Sequence, residues 1–305
     1  MFNEGVFTVI VTPFDDNENI SYDCLDNLIN RQINTGVKGI IILGTTSEAC
    51  TITYDEKIKL INYIWNKYNN NIKIAIGIGG NNTNEVIEFG KKCANRCHGF
   101  MLTVPYYNKP NQSGIFKHFF KITNSDLIKD KACMLYNIPS RCGVNMESST
   151  VINLRKTCKN ITAIKEASGN MDQIFDIINN SDINVFSGDD ASIIPLMSIG
   201  AKGVISVVSN LIPEYIVSIF NSCLNNDFLN AKDKYKVIHN IIKNLFIDTN
   251  PIPLKYLLKK VNLIKTDNVR LPLIKITDEN IEELLNKQLQ IIEFLQHKEN
   301  IKNLE

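Results

Sequence analysis

Residues 161–169 read Ile-Thr-Ala-Ile-Lys-Glu-Ala-Ser-Gly, a strand-like pattern that ends in a lysine and continues into small residues. A lysine at the last position of a buried strand loses hydration, which disfavours its charged form and lowers its pKa. The resulting free amine can attack a carbonyl carbon to form a Schiff base. The alternative is that Lys165 extends to water at the strand end and pairs with Glu166. The rest of the chain has to decide between these two interpretations.

The pattern of strand followed by helix recurs along the chain. Short apolar runs bounded by turn residues predict eight strands, at 6–11, 39–43, 73–78, 99–104, 132–138, 161–165, 184–187 and 203–207. Amphipathic segments lie between them and predict helices. Continuously apolar strands that alternate with such helices are typical of parallel strands covered on both sides.

Eight such units within about 210 residues predict an α/β fold, a closed (β/α)8 TIM barrel. An open doubly wound sheet is the alternative, and the absence of Gly-x-Gly-x-x-Gly after the first strand weakens its dinucleotide-binding version. After Asn210 the patterns predict only helices, at 213–223, 228–245, 253–260 and 280–295. We therefore predict a barrel that carries the active site over 1–224, and over 225–305 a C-terminal helical extension without catalytic signals of its own.

Composition excludes several classes of function. The 33 Lys and Arg residues balance 32 Asp and Glu residues, which argues against nucleic acid or an anionic membrane as a partner. The start of the chain has no signal-peptide pattern and no apolar run is long enough to span a bilayer, so we expect a cytoplasmic protein. The eight cysteines and four histidines form no metal-binding spacing, so we expect reduced thiols and no metal site.

Polar residues cluster where the predicted strands end, which is where a barrel of this class builds its active site. They are Thr45, Thr46, Tyr106, Tyr107, Tyr136, Arg141, Lys165, Asp189 and Asp190. Each alone is also typical of a turn or a helix cap. Together they suit one chemistry, in which a lysine iminium acidifies the neighbouring carbon and hydroxyl groups relay protons. Threonine hydroxyls at a helix start and an arginine suit two carboxylates.

Several motifs give the chain a resemblance to a known family. They are Gly44-Thr45-Thr46-Ser47-Glu48, Pro105-Tyr106-Tyr107-Asn108-Lys109-Pro110, Tyr136-Asn137-Ile138-Pro139-Ser140-Arg141, Ile164-Lys165-Glu166-Ala167-Ser168-Gly169, Ser187-Gly188-Asp189-Asp190 and Gly203-Val204-Ile205-Ser206-Val207. In order and spacing they resemble the 4-hydroxy-tetrahydrodipicolinate synthase (dihydrodipicolinate synthase) family of pyruvate-dependent class I aldolases. The resemblance covers nearly the whole chain.

The resemblance implies a lyase of lysine and diaminopimelate biosynthesis, usually a homotetramer built as a dimer of dimers, whose substrates are pyruvate and L-aspartate 4-semialdehyde. It implies no cofactor besides the covalent Schiff base of pyruvate on Lys165. Tyr136 is then the central proton carrier, and Thr45 links it to Tyr107 of a neighbouring subunit. The implied substrate-binding residues are Thr46 for the pyruvate carboxylate, Arg141 for the aldehyde's carboxylate, and Gly188 and Ile205 for the pyruvate pocket.

The chain departs from the family at a few positions. Ser47 stands where the family commonly has glycine, and we expect only a local adjustment of the turn. Asn81, Glu85 and Tyr106 match the allosteric positions of lysine-sensitive members. However, Ala49, Tyr54 and Lys57 stand where those members often have serine and two histidines. Because a cation at Lys57 should repel a lysine ligand, we expect weak or no inhibition by lysine.

Two alternative functions stay open. One is another pyruvate-dependent aldolase, such as an N-acetylneuraminate lyase or a keto-deoxy sugar acid aldolase. Arg141 argues against the first of these, since sialic acid lyases lack an arginine there. The other is a non-catalytic ligand-binding barrel, against which the retention of Lys165, Tyr136 and Tyr107 argues.

Overall fold

The computed structural model describes residues 1–296 of the chain. Eight strands close into a barrel in chain order, with parallel pairing between the first and second strands and from the third through to the eighth. The strands are β1 (Gly5–Val9), β2 (Gly39–Ile42), β3 (Lys73–Gly79), β4 (Gly99–Thr103), β5 (Ala132–Asn137), β6 (Ile161–Glu166), β7 (Asn184–Ser187) and β8 (Gly203–Ser206). The prediction of a TIM barrel with C-terminal helices is confirmed, and the open doubly wound alternative is wrong.

Helices connect the strands and continue beyond the last one. They are α1 (Tyr22–Ile33), α2 (Tyr54–Tyr68), α3 (Thr83–Cys93), α4 (Gln112–Thr123), α5 (Pro139–Cys142), α6 (Ser148–Thr157), α7 (Met171–Asn180), α8 (Ile193–Ser198), α9 (Pro213–Leu224), α10 (Phe228–Asn244), α11 (Ile252–Lys260), α12 (Glu279–Asn286) and α13 (Leu289–Gln296). All residues of β1 and β2 are buried, because a strand inside such a barrel is covered on both faces.

The last helix differs from its sequence prediction. The segment 280–295 is not one helix but two, α12 and α13, separated by a turn at Lys287 and Gln288. The backbone N–H of Gln288 bonds to the carbonyl of Leu285, three residues back, so the hydrogen-bond ladder tightens and the α-helix stops. The apolar spacing continues through this turn, which is why the sequence predicted a single helix.

The chain divides into two compact units. The first consists of Met1–Gly5 and Tyr54–Ile205, and holds the ladder of strands from β3 to β7. The second consists of Val6–Thr53 and the chain from Ser206 onward, and packs β1, β2 and α1 with α9–α13. The predicted boundary at residues 224 and 225 stays a prediction. Among the helices described, none has both the length and the apolar character needed to cross a membrane.

In the second unit, buried polar contacts tie β1 to the segment that follows β8. The Thr8 hydroxyl lies 2.7 Å from the Gln32 side-chain oxygen and 2.7 Å from the Ser209 hydroxyl. The Asn210 side-chain amide donates to the carbonyl of Val9 at 2.9 Å, and its oxygen accepts from the backbone N–H of Val11 at 3.2 Å. Because each of these buried polar groups has a partner, the contacts fix the end of β1 and offset the cost of burying them.

Candidate active site

Lys165 stands near the carboxyl end of β6, between Tyr136 of β5 and Phe186 of β7 in the strand register. Its side chain is buried, with 5% of its surface exposed, and its ammonium nitrogen lies 4.1 Å from the centre of the Tyr136 ring. Burial lowers the pKa of Lys165 to about 7, although the carboxylates of Asp190 and Asp189 oppose that shift. About half of the lysine is therefore an uncharged amine near neutral pH.

Tyr136 is the aromatic neighbour of that amine and is itself buried. Burial raises the pKa of its phenol, and the guanidinium of Arg141 only partly opposes the rise. The phenol is therefore protonated at neutral pH and can donate a hydrogen bond or a proton. A protonated hydroxyl next to an uncharged amine is a pair that can pass protons to and from a carbonyl substrate.

Arg141 lies in α5, the short helix that directly follows β5, and its side chain is exposed. The helix begins at Pro139, whose fixed φ suits a first helical position, and is capped by Gly143, which adopts φ +71°. Cys142, the residue after Arg141, is buried, and burial raises the pKa of its thiol to about 11. The thiol is thus protonated at neutral pH, whereas the exposed guanidinium is available to a carboxylate.

Gly188 follows β7, and its backbone packs against the end of β6. Its N–H donates to the carbonyl of Glu166 at 2.8 Å, and a Cβ atom at this position would lie 2.7 Å from the Cβ of Ala167. Only glycine fits this approach without displacing the segment that follows Lys165. Ile205 is fully buried in β8.

The loop after β4 carries Tyr106 and Tyr107. Tyr107 has φ +72°, a backbone conformation that residues other than glycine rarely adopt, and 86% of its surface is exposed. Of the candidate allosteric residues, Asn81 donates its side-chain N–H to the Tyr106 carbonyl at 3.3 Å, and Glu85 accepts from the Asn82 side chain at 2.8 Å. The structure thus brings Asn81 and Tyr106 together and leaves the Tyr107 ring projecting from the chain.

Thr45 and Thr46 follow β2 and belong to the second unit. Thr46 is buried, and its hydroxyl accepts a hydrogen bond from the side-chain amide of Asn250 at 2.9 Å. Ser47 donates its hydroxyl to the carbonyl of Ile10 at 2.6 Å, so the serine at this position makes a specific contact within the turn. Sequence reasoning missed Asn250, which lies 204 residues further along the chain.

A buried ion pair supports the same turn. The Lys255 ammonium of α11 contacts a Glu48 carboxylate oxygen, and the other oxygen accepts from the backbone N–H of Arg270 at 2.9 Å. Lys255 also donates to the Asn268 carbonyl at 2.8 Å. Glu48 has φ +55°, so these contacts hold a residue in an unfavourable backbone conformation. The helical region to which the sequence assigned no role thus fixes the turn that carries Thr45 and Thr46.

Within the first unit, the structure places Lys165 and Tyr136 in contact. Arg141 follows β5, the strand of Tyr136, and Gly188 follows β7, the strand next to that of Lys165. In the second unit, Asn250 of the turn before α11 bonds to Thr46. Among residues 1–296, no group of three or more His, Cys, Asp and Glu side chains is placed to hold a metal ion. What the first unit offers is a buried amine and a phenol, the groups that imine chemistry needs.

Known proteins are similar to this chain over most of its length. The model of the Dihydrodipicolinate synthetase family matches residues 2–291. The 4-hydroxy-tetrahydrodipicolinate synthase of Methanococcus aeolicus is 38% identical over 278 residues, which cover 91% of this chain and 95% of that relative.

Two solved structures are also similar. The 4-hydroxy-tetrahydrodipicolinate synthase of Methylacidiphilum fumariolicum SolV has a TM-score of 0.92 at 34% identity, over 99% of both chains. The dihydrodipicolinate synthase of Cyanidioschyzon merolae, solved with lysine bound, has a TM-score of 0.91 at 35% identity, over 96% of this chain and 99% of that one. The family model and the identity to curated relatives together settle the family, and this chain belongs to the dihydrodipicolinate synthetase family.

Proposed function

We propose that this protein condenses pyruvate with L-aspartate 4-semialdehyde to give 4-hydroxy-tetrahydrodipicolinate, through a Schiff base on Lys165. The observation that carries the proposal is the buried Lys165 amine, whose pKa burial lowers to about 7, in contact with the protonated Tyr136. Membership of the dihydrodipicolinate synthetase family supports the choice of substrates.

The proposed reaction begins when the neutral Lys165 amine attacks the ketone carbon of pyruvate. Water leaves and an iminium forms, and loss of a methyl proton then gives an enamine. The enamine carbon attacks the aldehyde, whose oxygen takes up a proton to become a hydroxyl group. The substrate's own amine next adds to the imine carbon and expels the lysine as the ring closes. No external cofactor is needed, because the iminium itself is the electron sink.

The other site residues take roles around this centre. Tyr136 passes protons to and from the reacting oxygen atoms, and Thr45 links it to Tyr107. Thr46 holds the pyruvate carboxylate, and Arg141 holds the carboxylate of the aldehyde substrate. Gly188 and Ile205 line the pyruvate pocket. The exposed guanidinium of Arg141 supports its part in this scheme, since a carboxylate can reach it from solvent.

Tyr107 acts in this proposal from a neighbouring subunit of a homotetramer, a dimer of dimers. Its support is the ring's 86% exposure, which is high for an aromatic side chain with a catalytic role. Replacing Tyr107 by phenylalanine should lower turnover in the oligomer. An unchanged turnover in an oligomeric Tyr107→Phe protein would count against the relay.

Lysine regulates the enzyme weakly or not at all in this proposal, even though Asn81, Glu85 and Tyr106 occupy the allosteric positions of sensitive relatives. The partly exposed Lys57 would meet the ammonium of a lysine ligand with a like charge. An inhibition constant for lysine in the micromolar range would contradict this expectation.

Reduction with borohydride in the presence of pyruvate tests the proposal directly. A pyruvyl adduct should appear on the peptide that contains Lys165 and be absent from Lys165→Ala. The peptides that contain the buried lysines Lys234 and Lys255 are internal controls in the same digest and should stay unmodified. No adduct in the folded wild-type protein would remove the Schiff-base mechanism and favour a ligand-binding barrel.

A second variant identifies the aldehyde. Arg141→Met should raise the KM for L-aspartate 4-semialdehyde by about 100-fold, because a charge-assisted bidentate contact is lost. The pyruvyl adduct should still form, since Arg141 holds only the second substrate. An unchanged KM would favour an aldolase that acts on a partner without a carboxylate at that position.

A further inference from the structure

Directly after the reactive pair, β5 and β6 carry a second pair of buried polar side chains. Asn137 and Glu166 are partners in the strand register, one position beyond Tyr136 and Lys165. Side chains alternate between the two faces of a strand, so Asn137 and Glu166 point away from the face that carries Lys165 and Tyr136. They therefore do not contact a substrate bound at the lysine, yet they share its stretch of backbone.

The Glu166 carboxylate is buried and surrounded by uncharged donors. It accepts hydrogen bonds from the backbone N–H of Ser168 at 2.8 Å, from the Gln173 side chain at 3.3 Å, and from the Asn137 amide, which lies 3.2 Å from each carboxylate oxygen. Burial raises the pKa of Glu166, and these hydrogen bonds oppose the rise. A buried carboxylate that is stabilised by neutral amides imposes strict geometry, because each lost donor leaves charge uncompensated.

Asn137 extends the network to the loop that follows α5, the short helix of Arg141. Its amide also donates to the Asn145 side-chain oxygen at 2.8 Å, and its own oxygen accepts from the Met146 backbone N–H at 3.0 Å. Asn145 in turn donates to the Gln173 side-chain oxygen at 2.7 Å. Asn137, Asn145, Glu166 and Gln173 thus form one amide–carboxylate cluster that joins β5, β6, α7 and the far end of the loop.

We propose that the Glu166 carboxylate is a positioning residue that, through Asn137, fixes the ends of β5 and β6 so that the Lys165 amine stays beside the Tyr136 ring. The same cluster tethers the loop that follows α5, the helix that bears Arg141. The inference rests on the proposed function and extends it, since nothing in the imine mechanism itself requires a carboxylate on this face. Its physical basis is that a displacement of about 1 Å can lower a catalytic rate by about 100-fold.

Glu166→Gln is the sharpest change, because it keeps the shape and one acceptor oxygen. The new amide group, however, points N–H donors at the donors of Asn137 and Gln173, so the cluster must rearrange. We expect kcat and the rate of borohydride-trappable imine formation to fall by about 10- to 100-fold, the size of a displacement near 1 Å. The KM for the aldehyde should also rise, because the loop that follows α5, the helix of Arg141, loses its tether.

The double variant Asn137→Asp/Glu166→Gln separates positioning from simple damage to the fold. It moves the carboxylate to the partner strand, where it can accept from the amide introduced at position 166 and from the Met146 N–H, while the amides of Asn145 and Gln173 reverse. We expect a recovery of the trapping rate of about tenfold relative to Glu166→Gln alone. The unfolding midpoints of both variants are measured beside the rates, because a purely structural role predicts that the rate follows the midpoint.

Asp182→Asn is the matched control. Asp182 precedes β7 at the opposite end of the strands, and its carboxylate accepts from Arg155 at 2.8 Å through both oxygens. Its loss should lower the unfolding midpoint without changing the trapping rate. If Glu166→Gln does not fold, Gln173→Met replaces it, and this variant removes one donor from Glu166 and should lower the trapping rate by about 3- to 10-fold.

The outcomes are distinguishable. A wild-type trapping rate in Glu166→Gln, or in Gln173→Met where the first does not fold, overturns the positioning role. So does a double variant that recovers no rate. Failure of the wild-type protein to form any adduct tells against the proposed function instead, whatever the variants do.

Discussion

Two buried lysines, one in each unit of the chain, share almost every local property. Lys165 is 5% exposed and its nitrogen lies 4.1 Å from the centre of the Tyr136 ring, whereas Lys255 is fully buried and lies 4.0 Å from the centre of the Phe14 ring. Burial lowers the pKa of both, to about 7 for Lys165 and to about 8 for Lys255. The aromatic neighbour and the desolvation therefore do not distinguish a reactive amine from a structural one.

The difference lies in what accepts their protons. Lys255 donates to the Glu48 carboxylate and to the Asn268 carbonyl, so its ammonium is paired and stays charged at neutral pH. For Lys165, the carboxylates of Asp190 and Asp189 oppose the loss of the proton through their charges, and burial outweighs them. A carboxylate in direct contact, as at Lys255, keeps a buried ammonium charged, whereas at Lys165 burial outweighs the charges around the amine.

The largest effect expected from this difference is on turnover. Lys165→Met should lower kcat by at least about 10⁴-fold, because no other group can form the imine. The fold should be retained, since the substitution leaves no paired carboxylate behind. Steady-state assays and a urea denaturation curve measure the two quantities. An active Lys165→Met protein would show that Lys165 is not the lysine that forms the imine.

For Lys255→Met the main expected effect is on stability. Removing one partner of a buried ion pair leaves Glu48 uncompensated, so we expect the free energy of unfolding to fall by about 3–5 kcal/mol. The double variant Lys255→Met/Glu48→Gln should recover part of this loss, because the remaining amide oxygen can still accept from the Arg270 N–H. Urea denaturation of both variants measures the change. Equal stability of the single variant and the wild type would show that the ion pair does not stabilise the fold.

The pH dependence of imine formation sharpens the comparison. Since the pKa of Lys165 is about 7, below its ordinary value of 10.5, the neutral fraction and the trapping rate should rise about tenfold between pH 6 and pH 8. The trapping rate rises with pH because the lysine must lose its proton before it attacks pyruvate. Trapping rates at fixed pyruvate concentration measure the profile, and a midpoint near 10.5 would contradict it.

The lowered pKa of Lys165 also makes the stability of the fold depend on pH. Between pH 7 and 10.5 the unfolded chain binds the proton that the folded chain has released, so the free energy of unfolding should rise with pH over this window. Lys165→Met should remove that part of the rise. Below pH 7 both states are protonated, and the full cost of burying the ammonium remains.

These two lysines also show what the sequence could and could not predict. The strands and Lys165 were predictable, because an apolar run that ends in a lysine is a local pattern, and the barrel brings strand ends together by rule. Lys255 reads as one more polar residue of an amphipathic helix, because its partner Glu48 lies 207 residues away. Partners of that kind are chosen by tertiary packing, which periodicity does not encode.

The same reason applies to the other features that were missed. The hydrogen bond from Asn250 to Thr46 and the bonds that join Asn137 to Glu166 cross long separations in sequence. The turn between α12 and α13 was missed because apolar spacing continues through it. The roles of the site residues stay predictions, and the family resemblance is what supplied them.

A third buried lysine gives the smallest expected effect. Lys234 of α10 is 5% exposed and donates to the hydroxyl groups of Ser218 at 2.6 Å and Ser222 at 3.3 Å, both on α9. Hydroxyl groups are neutral and can rotate to other acceptors, as the Ser222 hydroxyl already does by donating to the Ser218 carbonyl at 3.1 Å. Lys234→Met should therefore change the free energy of unfolding by no more than about 1 kcal/mol.

Urea denaturation of Lys234→Met beside Lys255→Met measures whether the partner, and not burial, sets the cost of losing a lysine. Turnover should be unchanged in Lys234→Met, because the side chain lies on the helices after the barrel and takes no part in the imine chemistry. If both substitutions cost about 3–5 kcal/mol, hydroxyl groups would hold an ammonium as firmly as a carboxylate does. The distinction between paired and unpaired lysines would then have to be drawn from reactivity alone.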